Sequence, residues 1–298
     1  MTVPIFGKGV GYDVDSECGT VDLKQEMDTV LMLTASRCLL GEEVRDHMHG
    51  EVSSLLHDLT ACSSRPYLPT PAHRRRDKAR ARLEEIFSGI VRSRRSSGRA
   101  GDDLLQVLID SRYKKDGRAT TEAEVTGLLV ALLFAGHHTS STAAAWTAAR
   151  LLRHGEWLRA ATEELLRPPQ GQGGYDGVLR TDDVLHRSVK EALRLHPVIL
   201  RRARRAFTVE TEEGGEYEVP EGRMPATPLV VNNMLPGVYR DPEAFDPDRF
   251  AHGRAEDKAA GELAYTSFGA GKHACMGEGY AYLQIKVILS RRSRRRTT

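Results

Sequence analysis

The chain has only four cysteines, Cys18, Cys38, Cys62 and Cys275, and no two of them form a C-x-x-C pair. That scarcity argues against a structural zinc site, and a disulfide framework would be sparse at this length. Long apolar runs are also missing. The longest, Leu128 to Ala135, is far too short to cross a bilayer. Met1 to Gly9 has neither a basic start nor an apolar signal core. Charge of one sign is lacking as well: 43 Lys and Arg against 41 Asp and Glu leave a formal balance of +2. A dedicated nucleic-acid binder would show a basic excess. What is present is ordinary globular composition, 40% hydrophobic and 28% charged over 298 residues. This length suits one large domain or two ordinary ones with a sizeable core. The expectation is a soluble chain with no encoded membrane anchor.

Hydrophobic spacing divides the chain into a helix-rich front and a strand-bearing rear. Leu23, Met27, Val30, Leu31 and Leu33 recur at helical spacing, with Gly41 as a stop. Val44 to Leu59 reads as a second helix, and Pro66, Pro69 and Pro71 as an extended connector. Ala72 to Arg95 is a long amphipathic helix. Its polar face holds Arg74, Arg75, Arg76, Lys78, Arg80 and Arg82, and Asp77, Glu84 and Glu85 among them favour a solvated face over a phosphate-binding patch. Asp102 to Tyr113 is a short helix with a turn at Lys115-Asp116-Gly117. Thr121 to His154 is the longest helix, opened by a Thr121/Glu124 capping box and closed by Gly155. Its middle is apolar almost all round, which places it at the centre of a domain. Trp157–Arg167 and Asp182–His196 follow as helices. Phe207–Glu210 and Glu216–Val219 flank Gly214-Gly215 as a hairpin, and Leu229-Val230-Val231 reads as another strand. Pro236 to Ala264 reads as irregular, and a last helix runs from Gly277 towards Ser290.

Three constellations carry chemistry. In Phe268-Gly269-Ala270-Gly271-Lys272-His273-Ala274-Cys275-Met276-Gly277, a cysteine stands in a glycine-rich turn before a helix. Glycine lets backbone approach a flat ligand and take positive φ, and a helix N-terminus suits an anionic sulfur. This is the setting of a thiolate metal ligand. Glu191 and Arg194 stand i, i+3 on one helix face, which alone would be a common surface ion pair. In the third, Ala135-Gly136-His137-His138-Thr139-Ser140, polar residues lie midway along the long apolar helix. There they need partners or a task, and Thr139 could simply bond back to a carbonyl one turn earlier.

The first constellation resembles the haem-binding loop of the cytochrome P-450 superfamily at Phe268, Gly271, His273, Cys275 and Gly277. The resemblance implies that Cys275 is the proximal ligand of haem iron, that His273 meets a haem propionate and that Phe268 packs near the sulfur. A thiolate ligand favours O–O cleavage over reversible O₂ binding. Glu191-Ala192-Leu193-Arg194, followed by Leu195-His196-Pro197 and by Pro247-Asp248-Arg249-Phe250, is similar to the superfamily's Glu-x-x-Arg helix and its distal arginine. Glu191, Arg194 and Arg249 would form a buried, structural charge network. By the same resemblance Thr139 delivers protons to iron-bound O₂. His138 stands where most members carry an acid, as in the sterol 14α-demethylase family.

Pro4–Val10, Leu33–Gly41, Pro66–Pro69, Ala72–Arg80 and Ala281–Lys286 extend the likeness to plant obtusifoliol 14α-demethylase-like members. It implies a mainly α fold with a small β part in one partial domain: 1–197 mostly helical, 198–267 strands and meander, 268–290 haem loop and last helix, 291–298 a basic tail. Against that pattern the front lobe, the haem-flanking helices between Asp15 and Ser16 and the C-terminal hairpins are missing, which reads as a shortened gene product. The implied function is haem-thiolate oxidation of a sterol, namely 14α-demethylation of a plant sterol precursor, with O₂ and with electrons from NADPH through a partner reductase. Phe6, Phe134 and Ala135 would line the substrate pocket. Family members sit on the cytoplasmic face of the endoplasmic reticulum, while this chain would be soluble or peripheral. Oxidation of another triterpenoid, and a non-catalytic remnant with weak or no haem binding, stay open.

Overall fold

The computed structural model describes residues 22–60, 70–98, 100–166, 182–197, 207–210, 214–220, 229–261 and 263–294. The architecture is mainly helical. Asp22 opens α1 (Leu23–Ala35) by accepting from the amides of Lys24 and Gln25. The helix loosens into a π-helical turn, Ser36–Leu40, and stops at Gly41, whose φ of +89° suits glycine. A second π-helical turn, Val44–Met48, leads into α2 (His49–Thr60). The long α3 (Pro71–Ser97) is capped by Thr70 and ends on Gly98 in the left-handed region. The short α4 (Leu104–Asp110) follows.

The axis of the fold is α5 (Glu122–Arg153), opened by the expected capping box between Thr121 and Glu124. Its first half joins Val125, Leu129 and Leu133 to Leu56, Leu83, Phe87 and Leu105 of the preceding helices. Its second half joins Ala143 and Ala144 to Met27 and Leu31 of α1, to Val189 and Leu193 of α7 (Val184–Leu195), and to Tyr282 and Ile285 of α10 (Glu278–Arg294). Its end packs Leu151 on Ala161 of α6 (Gly155–Leu166) and on Leu185. Each fully buried Leu or Phe in these clusters contributes roughly 1.5–3 kcal/mol.

Four expectations need correction. Gly155 does not end α5: His154 leaves helical geometry, and Gly155 begins α6. The middle of α5 is not enclosed all round, because its neighbours cover one side only. Leu128 and Phe134 remain 46% and 49% exposed, on the same open side as Ala131, Ala135 and His138. Leu229-Val230-Val231 is a helical turn, α8 (Leu229–Asn232), not a strand. Strand propensity needs a pairing partner to act on, and here Leu229 is buried while Val230 and Val231 point outward. The last helix runs to Arg294, past the expected start of the basic tail. The hairpin is as expected, with β1 (Phe207–Glu210) antiparallel to β2 (Glu216–Val219) and Phe207 opposite Val219. The meander holds a 3₁₀ turn, Pro247–Phe250, and a single-turn α9 (Glu256–Ala259). Phe6, the Pro66–Pro69 motif, the junction at Asp15–Ser16 and the arginine-rich 198–205 lie outside the described residues.

Candidate functional site

The cysteine loop hangs from the end of α7. The Tyr265 hydroxyl donates to the Lys190 carbonyl at 3.1 Å, and Ser267 Oγ donates to the Leu193 carbonyl at 3.3 Å. Phe268 tilts against Tyr282, ring centroids 5.1 Å apart, so its ring joins the core while its backbone stays in the loop. The chain then reverses through Gly269 and Gly271, at φ +86° and +64°. A residue with a Cβ resists this region, so the glycines are what allow the turn. His273 completes the 3₁₀ turn Gly271–His273, and of it the backbone alone is described. The Cys275 amide donates to the Phe268 carbonyl at 2.8 Å and closes the loop. The Cys275 thiol is free and exposed, just ahead of α10. A Cβ at Gly277 would stand 3.9 Å from its Sγ, an ordinary contact distance.

The helix that carries this loop also carries the charge network. Glu191, Arg194 and Arg249 have 0% exposed side chains. One Glu191 oxygen accepts from Arg194 Nε at 2.7 Å. The other accepts from Arg194 Nη2 at 2.8 Å, from Arg249 Nε at 3.0 Å and from the Asp246 amide at 3.0 Å. Most of the remaining guanidinium N–H groups reach the backbone. Arg194 donates to the carbonyls of Asn233, Pro242 and Ala244, and Arg249 to those of Arg240, Asp241 and Ala244. Sequence reasoning missed two members. Glu256 accepts from Arg249 Nη1 at 2.8 Å and also from Arg254, whose Nη1 donates in turn to Asp246 at 2.6 Å. Buried Asn233 donates back to the Arg194 carbonyl at 3.0 Å. Burial works against the charge on Arg249, but the carboxylates of Glu191 and Glu256 outweigh it and hold its pKa above the ordinary value.

On α5, His137 and His138 diverge. His137 is half-buried and directs Nε2 at the Asp28 carbonyl of α1, 3.3 Å away, and burial lowers its pKa. His138 stands on the open side. Thr139 Oγ1 donates to the Ala135 carbonyl at 2.7 Å, the back-bond that its place in a helix allows. Phe134 and Ala135 are exposed beside it. Another buried cluster was missed because its members lie far apart in sequence. Arg94 on α3 is held by Asp103, the cap of α4, with both side chains 4% exposed, and by Glu43.

The cytochrome P-450 family model matches residues 15–292. An obtusifoliol 14-alpha demethylase of Sorghum bicolor is 52% identical over 97% of this chain and 68% of its own. A sterol 14-demethylase of Arabidopsis thaliana is 49% identical over 97% of this chain and 69% of its own. The crystallised haem domain of a mutant cytochrome P-450 superposes with a TM-score of 0.74 at 27% identity, over 91% of this chain and 61% of that one. The chain therefore belongs to the cytochrome P-450 family and, within it, to the sterol 14-demethylases.

The residues present fit the haem that the family implies. Among the described residues no group of three or more His, Cys, Asp or Glu side chains could hold a bare ion. One accessible sulfur in a glycine turn suits a metal that brings most of its own donors with it, as haem iron does.

Proposed function

We propose that this chain is a haem-thiolate monooxygenase that removes the 14α-methyl group of a plant sterol precursor. Obtusifoliol, the compound in the name of its sorghum relative, is the first substrate to test. The observation that carries this reading is the free, exposed thiol of Cys275, presented by the Gly269–Gly271 turn on a loop tied to the end of α7. Cys275 Sγ is assigned as the side chain that would hold the haem iron. Bound there, haem iron supplies the activation of O₂ needed to oxidise an unactivated methyl group, with electrons from NADPH passed through a partner reductase. Phe268 fixes the loop against Tyr282 and so holds the sulfur in place. Gly271 and Gly277 are assigned to the backbone beside the ligand, and His273 to a propionate. Thr139 Oγ1 holds its proton on the Ala135 carbonyl and can hand it on by rotating about χ1, with His138 on the same open side of α5. Phe134 and Ala135 offer apolar contact to a rigid steroid, and Phe6 is assigned to the same wall. Glu191, Arg194 and Arg249 keep α7 and the meander in register, which fixes where the cysteine loop starts. Successive oxidations of the methyl carbon would leave a 14,15-double bond and release formate. The cytoplasmic face of the endoplasmic reticulum is the assigned location, and no described helix is long and apolar enough to cross a membrane.

The test is spectroscopic. The chain expressed with haem supplied should give the thiolate-type Soret band of the reduced carbon-monoxide adduct, and Cys275→Ala should lose it. With reductase, NADPH and obtusifoliol, formate should appear. A colourless unmodified chain overturns the proposal and leaves the non-catalytic reading.

A further inference from the structure

Lys190 stands one place before Glu191 on α7, with its side chain only 19% exposed. Its ammonium is paired with Asp257 of α9, which is 9% exposed. It also lies over two rings, 4.6 Å from the centre of Phe250 in the 3₁₀ turn and 5.0 Å from the centre of Tyr265. The two rings meet edge to face, centroids 5.5 Å apart, and one cation serves both. Tyr265 is held a second time by the same residue, because its hydroxyl donates to the Lys190 carbonyl at 3.1 Å. Tyr265 lies at the root of the cysteine loop, two residues before Ser267 and three before Phe268, whose carbonyl takes the Cys275 amide. A cation gains most from an aromatic face where water is excluded, and a charge withdrawn from water needs such compensation. The same charge is felt beyond the loop. Burial raises the pKa of Glu278, the first residue of α10, and Lys190 works against that rise.

We infer that Lys190 is a positioning residue for the Cys275 sulfur: its ammonium, held by Asp257 and by the rings of Phe250 and Tyr265, fixes the root of the cysteine loop to α7 and so sets where the sulfur stands. The inference rests on the proposed function, because it concerns the side chain assigned to haem iron. Lys190 acts through Tyr265 and the loop that follows it. The task requires a cation. An apolar side chain would fill the space, but only positive charge draws the negative faces of two rings and a carboxylate to one point.

Two readings of the whole chain test it: hydrogen exchange without haem, and the carbon-monoxide band with haem supplied. Lys190→Met keeps an unbranched stem and removes the charge. Exchange across residues 265–277 should rise about tenfold, the worth of a cation on a shielded aromatic face, and part of the thiolate-type band should be lost. Lys190→Arg keeps a cation over the rings and should restore both. Lys190→Met combined with Asp257→Asn leaves no unpaired carboxylate, so Tm should recover while exchange and band stay altered. A lysine that only balanced Asp257 would recover all three together, and that result overturns the inference. Arg92→Gln, which breaks an exposed pair with Glu122 on α5, should change neither reading. Should Lys190→Met fail to fold, Phe250→Leu removes one ring, keeps the ion pair and should move both readings the same way to a smaller extent. Unchanged exchange in the loop, an unaltered band, or no rescue by Lys190→Arg would each overturn the inference. The band of the unmodified chain decides the proposed function separately: a chain with the band, matched by its Lys190→Met variant, loses this inference and keeps that function.

Discussion

At Arg249, whose side chain is wholly buried, five donors find five acceptors, and one acceptor is the carboxylate shared with Arg194. Removing one partner from such a set leaves the others charged and buried, and that penalty exceeds the net worth of the bond lost. Arg249→Met should cost about 3–5 kcal/mol by chemical denaturation. A loss near the 0–1 kcal/mol of an exposed pair would show that the network is not the lock the geometry describes. Thr139 is the opposite case. Among the described residues its hydroxyl bonds to its own helix alone, at the Ala135 carbonyl, so Thr139→Ala should keep stability and the carbon-monoxide band. NADPH consumption should then run ahead of product. Unchanged coupling would remove Thr139 from proton delivery. The bare motif at 135–140 left both readings open for Thr139, and the observed back-bond is compatible with each.

Between elements, two glycines show how the ends of α1 and α3 are joined. Gly41 lies against the buried Arg94–Asp103 pair: an added Cβ would stand 2.3 Å from Arg94 Nη2 and 2.4 Å from Asp103 Oδ2, at a φ of +89°. Gly98 lies in the left-handed helical region, φ +65° and ψ +11°, with open space around it, whereas Gly41, at ψ +179°, occupies a region that is essentially confined to glycine. Gly98→Ala should therefore cost about 1–2 kcal/mol from backbone strain alone. Gly41→Ala should cost clearly more, read as a larger drop in Tm, because its backbone region is harder for a Cβ and the ion pair must also move. Equal losses would mean that neither the backbone nor the pair resists the change. Sequence pattern placed Gly41 as a stop for a local reason, a glycine after a periodic run. It could not connect Gly41 with Arg94 and Asp103, more than fifty residues away. The same limit explains α8: Val230 and Val231 favour a strand locally, yet Asn233, whose side chain and carbonyl both bond Arg194, anchors a helical turn there.

Over the whole molecule, packing sets the response to acid. Burial lowers the pKa of His186 to about 4, with Lys286 and Lys190 adding to the effect, and burial with Arg150 does the same for His196. His186 stacks on Tyr282 at 4.3 Å, and His196 on Trp146 at 3.7 Å while accepting from Arg150. In the unfolded chain both return to the ordinary value near 6.5. Between those values the unfolded state binds more protons, so stability is full above 6.5 and is lost as pH falls towards 4. Tm should stay level from neutral to mildly alkaline pH and fall through that acid window, and replacing both histidines with Gln should flatten the fall. An unchanged slope would place the acid sensitivity elsewhere. What the sequence by itself determined was whatever repeats or coincides locally: the helical periods, the Thr121/Glu124 cap, the Gly214-Gly215 hairpin, and the ten residues from Phe268 to Gly277 that place a lone cysteine among glycines. Tertiary structure alone decided which side of α5 stays open, that Glu256 and Asn233 complete the Glu191 network, and that Arg94 is buried while Arg74 is not. Each of those outcomes depends on desolvation and charge pairing between segments far apart along the chain, and such energies exist only once the segments are in contact.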